Sequence, residues 1–122
     1  MKLGAVSLIV PEYDAAIAFF TAIGFTLTAD EDQGRKRWVT VSAGGTHLVL
    51  ARADGPAQRA AMGQQWAGRV GLFLHCEDFA KTAEAIRAAG GVFQEAPREE
   101  AYGTVAVWTD PWGNRWDLIQ PR

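Results

Sequence analysis

The sequence predicts an α+β fold built from two βαβββ modules that together form one domain. Two observations carry this prediction. The order strand, helix and three strands occurs twice in 122 residues. The glycines that end the two helices, Gly24 and Gly90, lie 66 positions apart, and the turn glycines Gly45 and Gly113 lie 68 apart. Two spacings that differ by only two residues indicate a repeated structural unit.

The first module covers about residues 1–52. Residues 3–10 are expected to form a strand that Pro11 and Glu12 end, and apolar residues at helical spacing then predict a helix over 13–23. Three short strands follow over 25–29, 37–41 and 46–51. The polar turn Asp30-Glu31-Asp32 and the pair Gly44-Gly45 separate them, and we interpret the acidic run as a solvated hairpin tip.

A linker is predicted over about 53–68, with a short helix around 58–65, before the second module over about 69–122. This module repeats the first, with a helix over 80–89 and strands over 70–76, near 92–94, over 102–109 and over 115–120. Arg98-Glu99-Glu100 is interpreted as a second solvated tip. The prediction is therefore eight strands in two mixed sheets, with the helices on the outer faces.

Composition excludes several classes of partner. The 12 Lys and Arg residues against 14 Asp and Glu give a formal charge of -2, and the basic residues are scattered, which argues against nucleic acid and anionic membranes. No apolar run approaches the length of a bilayer span, and the first residues lack the features of a signal peptide. With its single cysteine, Cys76, the chain is expected to be cytoplasmic.

Alternation along the strands divides the side chains between two faces. Val6, Leu8 and Val10, with Leu72, Leu74 and Cys76, form the apolar sets that the helices would cover, and Cys76 and Trp116 are expected in the core. The opposite faces would line a concave cavity between the sheets. The side chains assigned to this cavity are Ala5, Ser7, Ile9, Trp38, Thr40, His47, Val49, Gly71, Phe73, His75, Thr104, Ala106, Trp108, Arg115 and Asp117.

The segment 110–120, DPWGNRWDLIQ, contains the most specific pattern in the chain. Pro111, Gly113 and Asn114 suit a tight turn, because proline presets φ and the other two tolerate positive φ. The strand that follows carries one carboxylate, Asp117, among apolar neighbours. Such an acid serves as a rim charge, an ion-pair partner or a ligand.

Three segments together resemble the vicinal-oxygen-chelate superfamily, which includes glyoxalase I, bleomycin-resistance proteins, fosfomycin-resistance proteins and extradiol dioxygenases. They are residues 8–20, residues 83–91 and the DPWGNRWDLIQ ending, which is similar to the family pattern Asp-Pro-x-Gly-x-x-x-acid-Leu. The resemblance covers nearly the whole chain. It implies the glyoxalase/bleomycin-resistance/dioxygenase fold and, because many single-domain members pair and module edges need covering, a homodimer.

The resemblance also identifies where metal-dependent members hold a divalent cation. Carried over to this sequence, those positions are Ala5, Val49, Gly71 and Asp117, of which only Asp117 has a donor. Because one carboxylate is too little to hold a transition metal, we predict no metal and no other cofactor. A relocated metal site that uses His47, His75 and Asp117 stays open as an alternative.

The resulting functional prediction is binding of a small organic molecule in the cavity, as in the bleomycin-resistance branch. The predicted ligand contacts are Trp38, His47, His75, Trp108 and Asp117, which combine flat apolar surface with a few polar anchors. The alternative is a glyoxalase-like lyase, isomerase or dioxygenase with a rearranged site of His47, His75 and Asp117. A purely structural dimer is a third possibility. The sequence identifies neither the ligand nor a catalytic residue.

Overall fold

The computed structural model describes all 122 residues and contains nine strands and three helices. They form two compact units, residues 1–62 and 63–122. The boundary after Met62 falls within the stretch predicted as a linker. None of the three helices combines the length and the apolar composition needed to cross a membrane.

The first unit contains one mixed sheet of four strands. Its elements are β1 (Val6–Val10), α1 (Tyr13–Ala22), β2 (Thr26–Asp32), β3 (Arg37–Ala43), β4 (Thr46–Arg52) and α2 (Gly55–Ala61). The strand order is β1-β4-β3-β2, with β1 parallel to β4 and the other pairs antiparallel. Leu8, Val10, Val41 and Leu50 are buried with Phe20 of α1, whose ring centroid lies 5.1 Å from that of Phe25. Helix α1 therefore covers one face of this sheet.

The second unit repeats the arrangement with five strands. Its elements are β5 (Leu72–His75), α3 (Phe79–Ala89), β6 (Val92–Phe93), β7 (Arg98–Glu100), β8 (Gly103–Thr109) and β9 (Arg115–Pro121). The strand order is β5-β9-β8-β6, with β5 parallel to β9, and β7 also pairs with β8. Asp78 caps α3 by accepting a hydrogen bond from the Lys81 amide at 3.2 Å, and Gly90 ends it in the left-handed region at φ 111°.

The core of the second unit is built on two tryptophans. The rings of Trp108 and Trp116 stack with centroids 5.0 Å apart and an angle of 18° between their planes. Ile86 of α3 is fully buried, and Gly91 is held against both Ile86 and Trp108 so closely that a side chain there would collide with them. The core position predicted for Trp116 is confirmed.

The turn between β8 and β9 is organised by the carboxylate of Asp110, which is 4% exposed. Oδ1 accepts hydrogen bonds from the amides of Trp112 and Asn114, both at 3.0 Å. Oδ2 accepts from the Asn114 side chain at 2.8 Å and from the Trp116 indole at 3.1 Å. The Asp-Pro-x-Gly pattern thus joins a turn to the core tryptophan of the next strand, and Gly113 has the positive φ (96°) that the sequence predicted.

The predicted α+β class and the order of two similar βαβββ units are confirmed, and four details of the prediction are wrong. Arg98–Glu100 forms a ninth strand, β7, rather than a hairpin tip, and residues 30–32 end β2 rather than form a turn. The linker helix begins at Gly55, because Pro56 suits the first turn of a helix. Cys76 is only half-buried, because β5 ends at His75.

Candidate functional site

The face of the first sheet opposite α1 carries an exposed tryptophan beside polar groups. Thr40 is paired with Val49 in the register of β3 and β4, and Ser42 with His47, so Trp38, Thr40, His47 and Val49 share one face. Trp38 is 42% exposed, and His47 is half-buried. The predicted face of Trp38 and His47 agrees with this register, while their role as ligand contacts stays a prediction.

A short chain of hydrogen bonds positions His47. The hydroxyls of Thr28 and Thr40 are 2.7 Å apart, and Thr28 Oγ1 lies 3.4 Å from His47 Nδ1. Thr28 also donates to the Thr40 carbonyl at 3.1 Å. Because Nδ1 faces this pair of hydroxyls, the other ring nitrogen, Nε2, is left for a partner outside the sheet.

A cleft of about 820 Å³ opens at one end of the same sheet, between the β2–β3 hairpin and the segment that leads into α2. Ser7, Trp38, Val49 and Ala51 contribute the wall on the open sheet face. Leu50 and Ala53 also line the cleft, and the rest of its wall is polar or basic, formed by Tyr13, Gln33, Arg35, Lys36, Arg37, Arg52, Asp54 and Gln58. The size suits a drug-sized molecule.

The second sheet has an exposed aromatic residue in the corresponding strand region. Phe73 is 61% exposed and is paired with Asp117 in the register of β5 and β9. His75 lies two residues further along β5, so Phe73, His75 and Asp117 share the face opposite α3. The faces predicted for His75 and Asp117 thus agree with the register.

Asp117 has an unusual environment for an acid. Its Oδ1 is buried and has no hydrogen-bond partner. Burial raises the pKa of this carboxyl above its usual value, the nearby Glu95 raises it further, and the charges of Arg98 and Arg115 oppose the shift. The Asp117 side chain is half-buried, and a carboxyl can accept a hydrogen bond from a ligand or, when protonated, donate one to it.

Glu95 lies close to Asp117, but both of its carboxylate oxygens already accept hydrogen bonds within the protein. Its Oε1 accepts from Arg98 Nε at 2.9 Å and its Oε2 from the Val107 amide at 2.8 Å. These two hydrogen bonds lower the pKa of Glu95. Glu95 is therefore a fixed negative charge that holds β7 on the sheet.

Trp66 is a contributor to this face that sequence reasoning missed. Its ring lies against Gly71, at a spot where any side chain on residue 71 would collide with it. By alternation residue 71 shares the face of Phe73, so Trp66 supplies aromatic surface there from the segment before β5. The available signal was an aromatic residue in the predicted linker, five positions before a strand glycine.

The predicted cavity-side placement of Trp108 is wrong, as are those of Thr104 and Ala106. Trp108 is fully buried and pairs with Trp116, and Ala106 pairs with Leu118, so these side chains share the face covered by α3. Thr104 pairs with Gln120 on that same face. The prediction failed because the loop from Asp110 to Asn114 pairs Trp108 with Trp116. The Trp108 side chain therefore lies on the sheet face opposite that of Asp117.

The donors present do not fit the metal site of the family. Ala5, Val49 and Gly71 offer no side-chain donor, and Gly71 is covered by the Trp66 ring. Within neither unit do three His, Cys, Asp or Glu side chains come together in a way that could hold an ion.

The fold defines the class of protein: an α+β chain of two βαβββ units with one helix-free face on each sheet. The family model of the Glyoxalase/Bleomycin resistance protein/Dioxygenase superfamily matches residues 2–118. The chain belongs to this superfamily.

Three relatives illustrate its neighbourhood. An uncharacterized protein of Shewanella frigidimarina (strain NCIMB 400) is 43% identical over 94% of this chain and 90% of its own length. The crystal structure of UcmS2 is similar with a TM-score of 0.81 and 30% identity, covering 98% of this chain and 97% of that one. TnmS3, described as an antibiotic-binding protein from Streptomyces sp. CB03234, has a TM-score of 0.66 and 28% identity over 100% of this chain and 99% of its own.

Proposed function

We propose that the protein binds a small organic molecule on the helix-free faces of its sheets and does so without a metal. The observation that carries the proposal is the exposure of two aromatic side chains, Trp38 and Phe73, each beside polar groups that have unused hydrogen-bonding capacity. His47 Nε2 is such a group near Trp38, and the half-buried carboxyl of Asp117 is one near Phe73. Flat apolar surface with a few polar anchors is the usual composition of a ligand site.

The energetics favour a planar ligand. Covering about 100 Å² of an exposed aromatic side chain contributes about 2.5 kcal/mol, and stacking of a second ring adds about 1 kcal/mol. Hydrogen bonds to His47 and Asp117 would then determine orientation and selectivity more than affinity. The similarity to TnmS3, an antibiotic-binding protein, supports the same class of ligand for this chain.

Titration with Nile red, a flat uncharged fluorophore, tests the proposal. We expect saturable binding that Phe73→Ala or Trp38→Ala weakens about fivefold, because about 1 kcal/mol of aromatic contact is lost. Leu27→Ala is the control, since Leu27 is 39% exposed but is paired with Val41, on the sheet face that α1 covers. Absence of saturable binding, or equal loss in all three variants, would contradict the proposal.

One observation favours a second candidate, an enzyme of lyase, isomerase or dioxygenase type. Asp117 has a raised pKa, which suits a group that exchanges protons with a bound molecule. Mass spectrometry of a compound recovered after incubation separates the two functions. Conversion that Asp117→Asn abolishes while binding persists would establish the enzyme, and unchanged compound would favour the binding protein.

We further propose that the protein works as a cytoplasmic homodimer. The half-buried Cys76 is a free thiol, which suits a reducing compartment. Each sheet also ends in strands that have a hydrogen-bonded neighbour on one side only, β1 and β2 in the first sheet and β5 in the second. Such edges are commonly covered by another chain.

A further inference from the structure

The cleft of the first unit is basic although the chain as a whole is slightly acidic. Four cationic side chains line it, Arg35, Lys36, Arg37 and Arg52, against one carboxylate, Asp54. The formal charge of the whole chain is -2. A local excess of positive charge in a concave site with an aromatic wall attracts anions more strongly than the net charge suggests.

Arg37 is occupied by acids of its own unit. Its Nε and Nη2 donate to the two oxygens of Asp30 at 3.1 and 2.8 Å, and its Nη1 donates to Asp14 at 2.9 Å. Its guanidinium also lies 5.1 Å from the centre of the Tyr13 ring. Because two carboxylates already compensate this charge, Arg37 forms a rigid wall of the cleft rather than a free anion-binding group.

The positive charge of Arg52 is only weakly compensated by neighbouring acids. It stacks over the same Tyr13 ring at 5.3 Å, which holds the guanidinium in place. Its one acidic neighbour, Glu12, is 3.9 Å away, at the outer limit of an ion pair, and the Arg52 side chain is 46% exposed. An exposed pair at that distance contributes little, so Arg52 can turn to a ligand at small cost.

Arg35 and Lys36 make no ion pair. They occupy the β2–β3 turn, which is closed by a hydrogen bond from the Gln33 amide to the Lys36 carbonyl at 2.8 Å. The nearby acids make no ion pair with them: Asp32 accepts from the Gly34 amide, and Glu31, the cross-strand neighbour of Trp38 on the same sheet face, does not line the cleft. The turn therefore presents two uncompensated cations to the cleft.

We propose that this cleft selects a small organic anion, such as an aromatic carboxylate, sulfonate or phosphate. Its flat part lies against Trp38, and its anionic group is reached by Arg35, Lys36 and Arg52. The inference rests on the proposed binding function and narrows its ligand class. Selectivity for the anion is thereby assigned to charged side chains of the β2–β3 turn, which are separate from His47 and Asp117.

The test measures the affinity of three compounds that share one ring system and differ in charge: 2-naphthoate, 2-naphthamide and 2-naphthylmethylammonium. We expect the anion to bind about tenfold more tightly than the amide, a ratio that corresponds to about 1.4 kcal/mol, and the cation to bind least. Raising the salt from about 0.05 to about 0.5 M should weaken the anion alone, because added ions screen its attraction to the cleft. The indole resonance of Trp38, assigned with Trp38→Phe, should shift on binding.

The double variant Arg35→Gln/Lys36→Gln should remove the preference for the anion and leave amide binding unchanged. The matched control is Arg69→Gln/Lys81→Gln, which changes the net charge equally at exposed positions of the second unit. The anion inference would be overturned if wild type bound the anion and the amide with equal affinity, or if both double variants lost the anion preference equally. Nile red binding would stay intact in either case. Loss of every ligand, Nile red included, would instead overturn the proposed function.

Discussion

At the scale of single residues, the Asp110 carboxylate should be the most costly polar group to remove. Asp110→Ala would leave buried donors of Trp112, Asn114 and Trp116 without an acceptor. Each buried donor without a partner costs about 1–3 kcal/mol, so we expect the free energy of unfolding to fall by about 3 kcal/mol or more. Urea denaturation followed by circular dichroism measures it.

Asp32→Ala is the matched control for Asp110→Ala. Asp32, the last residue of β2, also accepts a hydrogen bond from the turn that follows it, but it is exposed and accepts only one, from the Gly34 amide at 2.8 Å. Its removal should cost less than about 1 kcal/mol. Similar losses for the two variants would show that the hydrogen bonds of the β8–β9 turn are unimportant for stability.

Asp117 and Glu95 should make stability depend on pH in opposite directions. The folded state raises the pKa of Asp117, so its stabilising contribution is full below the unfolded pKa and is lost as pH rises through the folded value. The folded state lowers the pKa of Glu95, so its contribution is present above the unfolded pKa and is lost as pH falls.

Relative to wild type, Asp117→Asn should therefore become more stable from about pH 3 to pH 7, and Glu95→Gln less stable. Urea titrations at both pH values measure the two differences. Equal pH dependence in the two variants would contradict the assigned environments.

At the scale of elements, the alternation of side chains within a strand could be predicted from the sequence, but the pairing register between strands could not. Residues of β5 and β9 lie on their predicted faces. Phe73 and Ile119 make the second face partly apolar, but the charged Asp117 distinguishes the two faces of β9. In β8, Val105, Ala106, Val107 and Trp108 are all buried, so hydrophobicity alone does not distinguish its two faces. The length of the Asp110–Asn114 loop decides the register, and that length follows from side-chain hydrogen bonds that no periodicity reveals.

The strand β7 was missed for a related reason. Arg98, Glu99 and Glu100 have low strand propensity and no apolar member, so the pattern favours a solvated turn. The structure holds them through charge: Arg98 contacts Glu95 at 2.9 Å and Glu100 at 2.8 Å, and Thr104 of β8 donates to Glu99. The two Arg98 contacts are local, and the pair of Glu99 and Thr104 crosses from β7 to β8, so it depends on tertiary placement.

Gly103, the first residue of β8, should tolerate no side chain. Its φ of 147° is unfavourable for other residues, and a Cβ there would collide with the backbone oxygen of Gln120. We expect Gly103→Ala to lower the free energy of unfolding by about 1–3 kcal/mol, because β8 or β9 must shift. Gly4→Ala, with open space around it, is the control and should be neutral. Equal melting temperatures for the two variants would contradict this.

At the scale of the whole molecule, we expect a homodimer. Light scattering at micromolar concentration should give twice the 13.2 kDa of one chain. Unsatisfied strand edges and exposed apolar side chains such as Val92 (58%) provide the reason. A mass of one chain across the concentration series would contradict the prediction.

The metal prediction is tested on the same purified protein. After purification without affinity-tag metal and after dialysis against divalent ions, we expect no stoichiometric Zn, Ni, Mn or Fe by elemental analysis, because the family positions carry only one donor. One retained equivalent that Asp117→Ala removes would revive the relocated site of His47, His75 and Asp117. The sequence could predict this lack of donors because it depends on residue types alone.

The candidate site was predictable where it depends on residue type and alternation, as for Trp38, His47, His75 and Asp117. It was not predictable where loops contribute, as for Trp66 before β5 and the cations Arg35 and Lys36 at the β2–β3 turn. Loop side chains follow no period, and their position depends on turn hydrogen bonds such as that from Gln33 to Lys36.

The stacked indoles of Trp108 and Trp116 give the second unit an optical signature. Two chromophores 5.0 Å apart with nearly parallel planes couple their electronic transitions, which produces an exciton couplet in far-ultraviolet circular dichroism. No tryptophan of the first unit has such a partner, since Trp38 is the only one there. Loss of the couplet during denaturation therefore reports the unfolding of residues 63–122 alone, whereas tryptophan fluorescence sums Trp38 with the four tryptophans of the second unit.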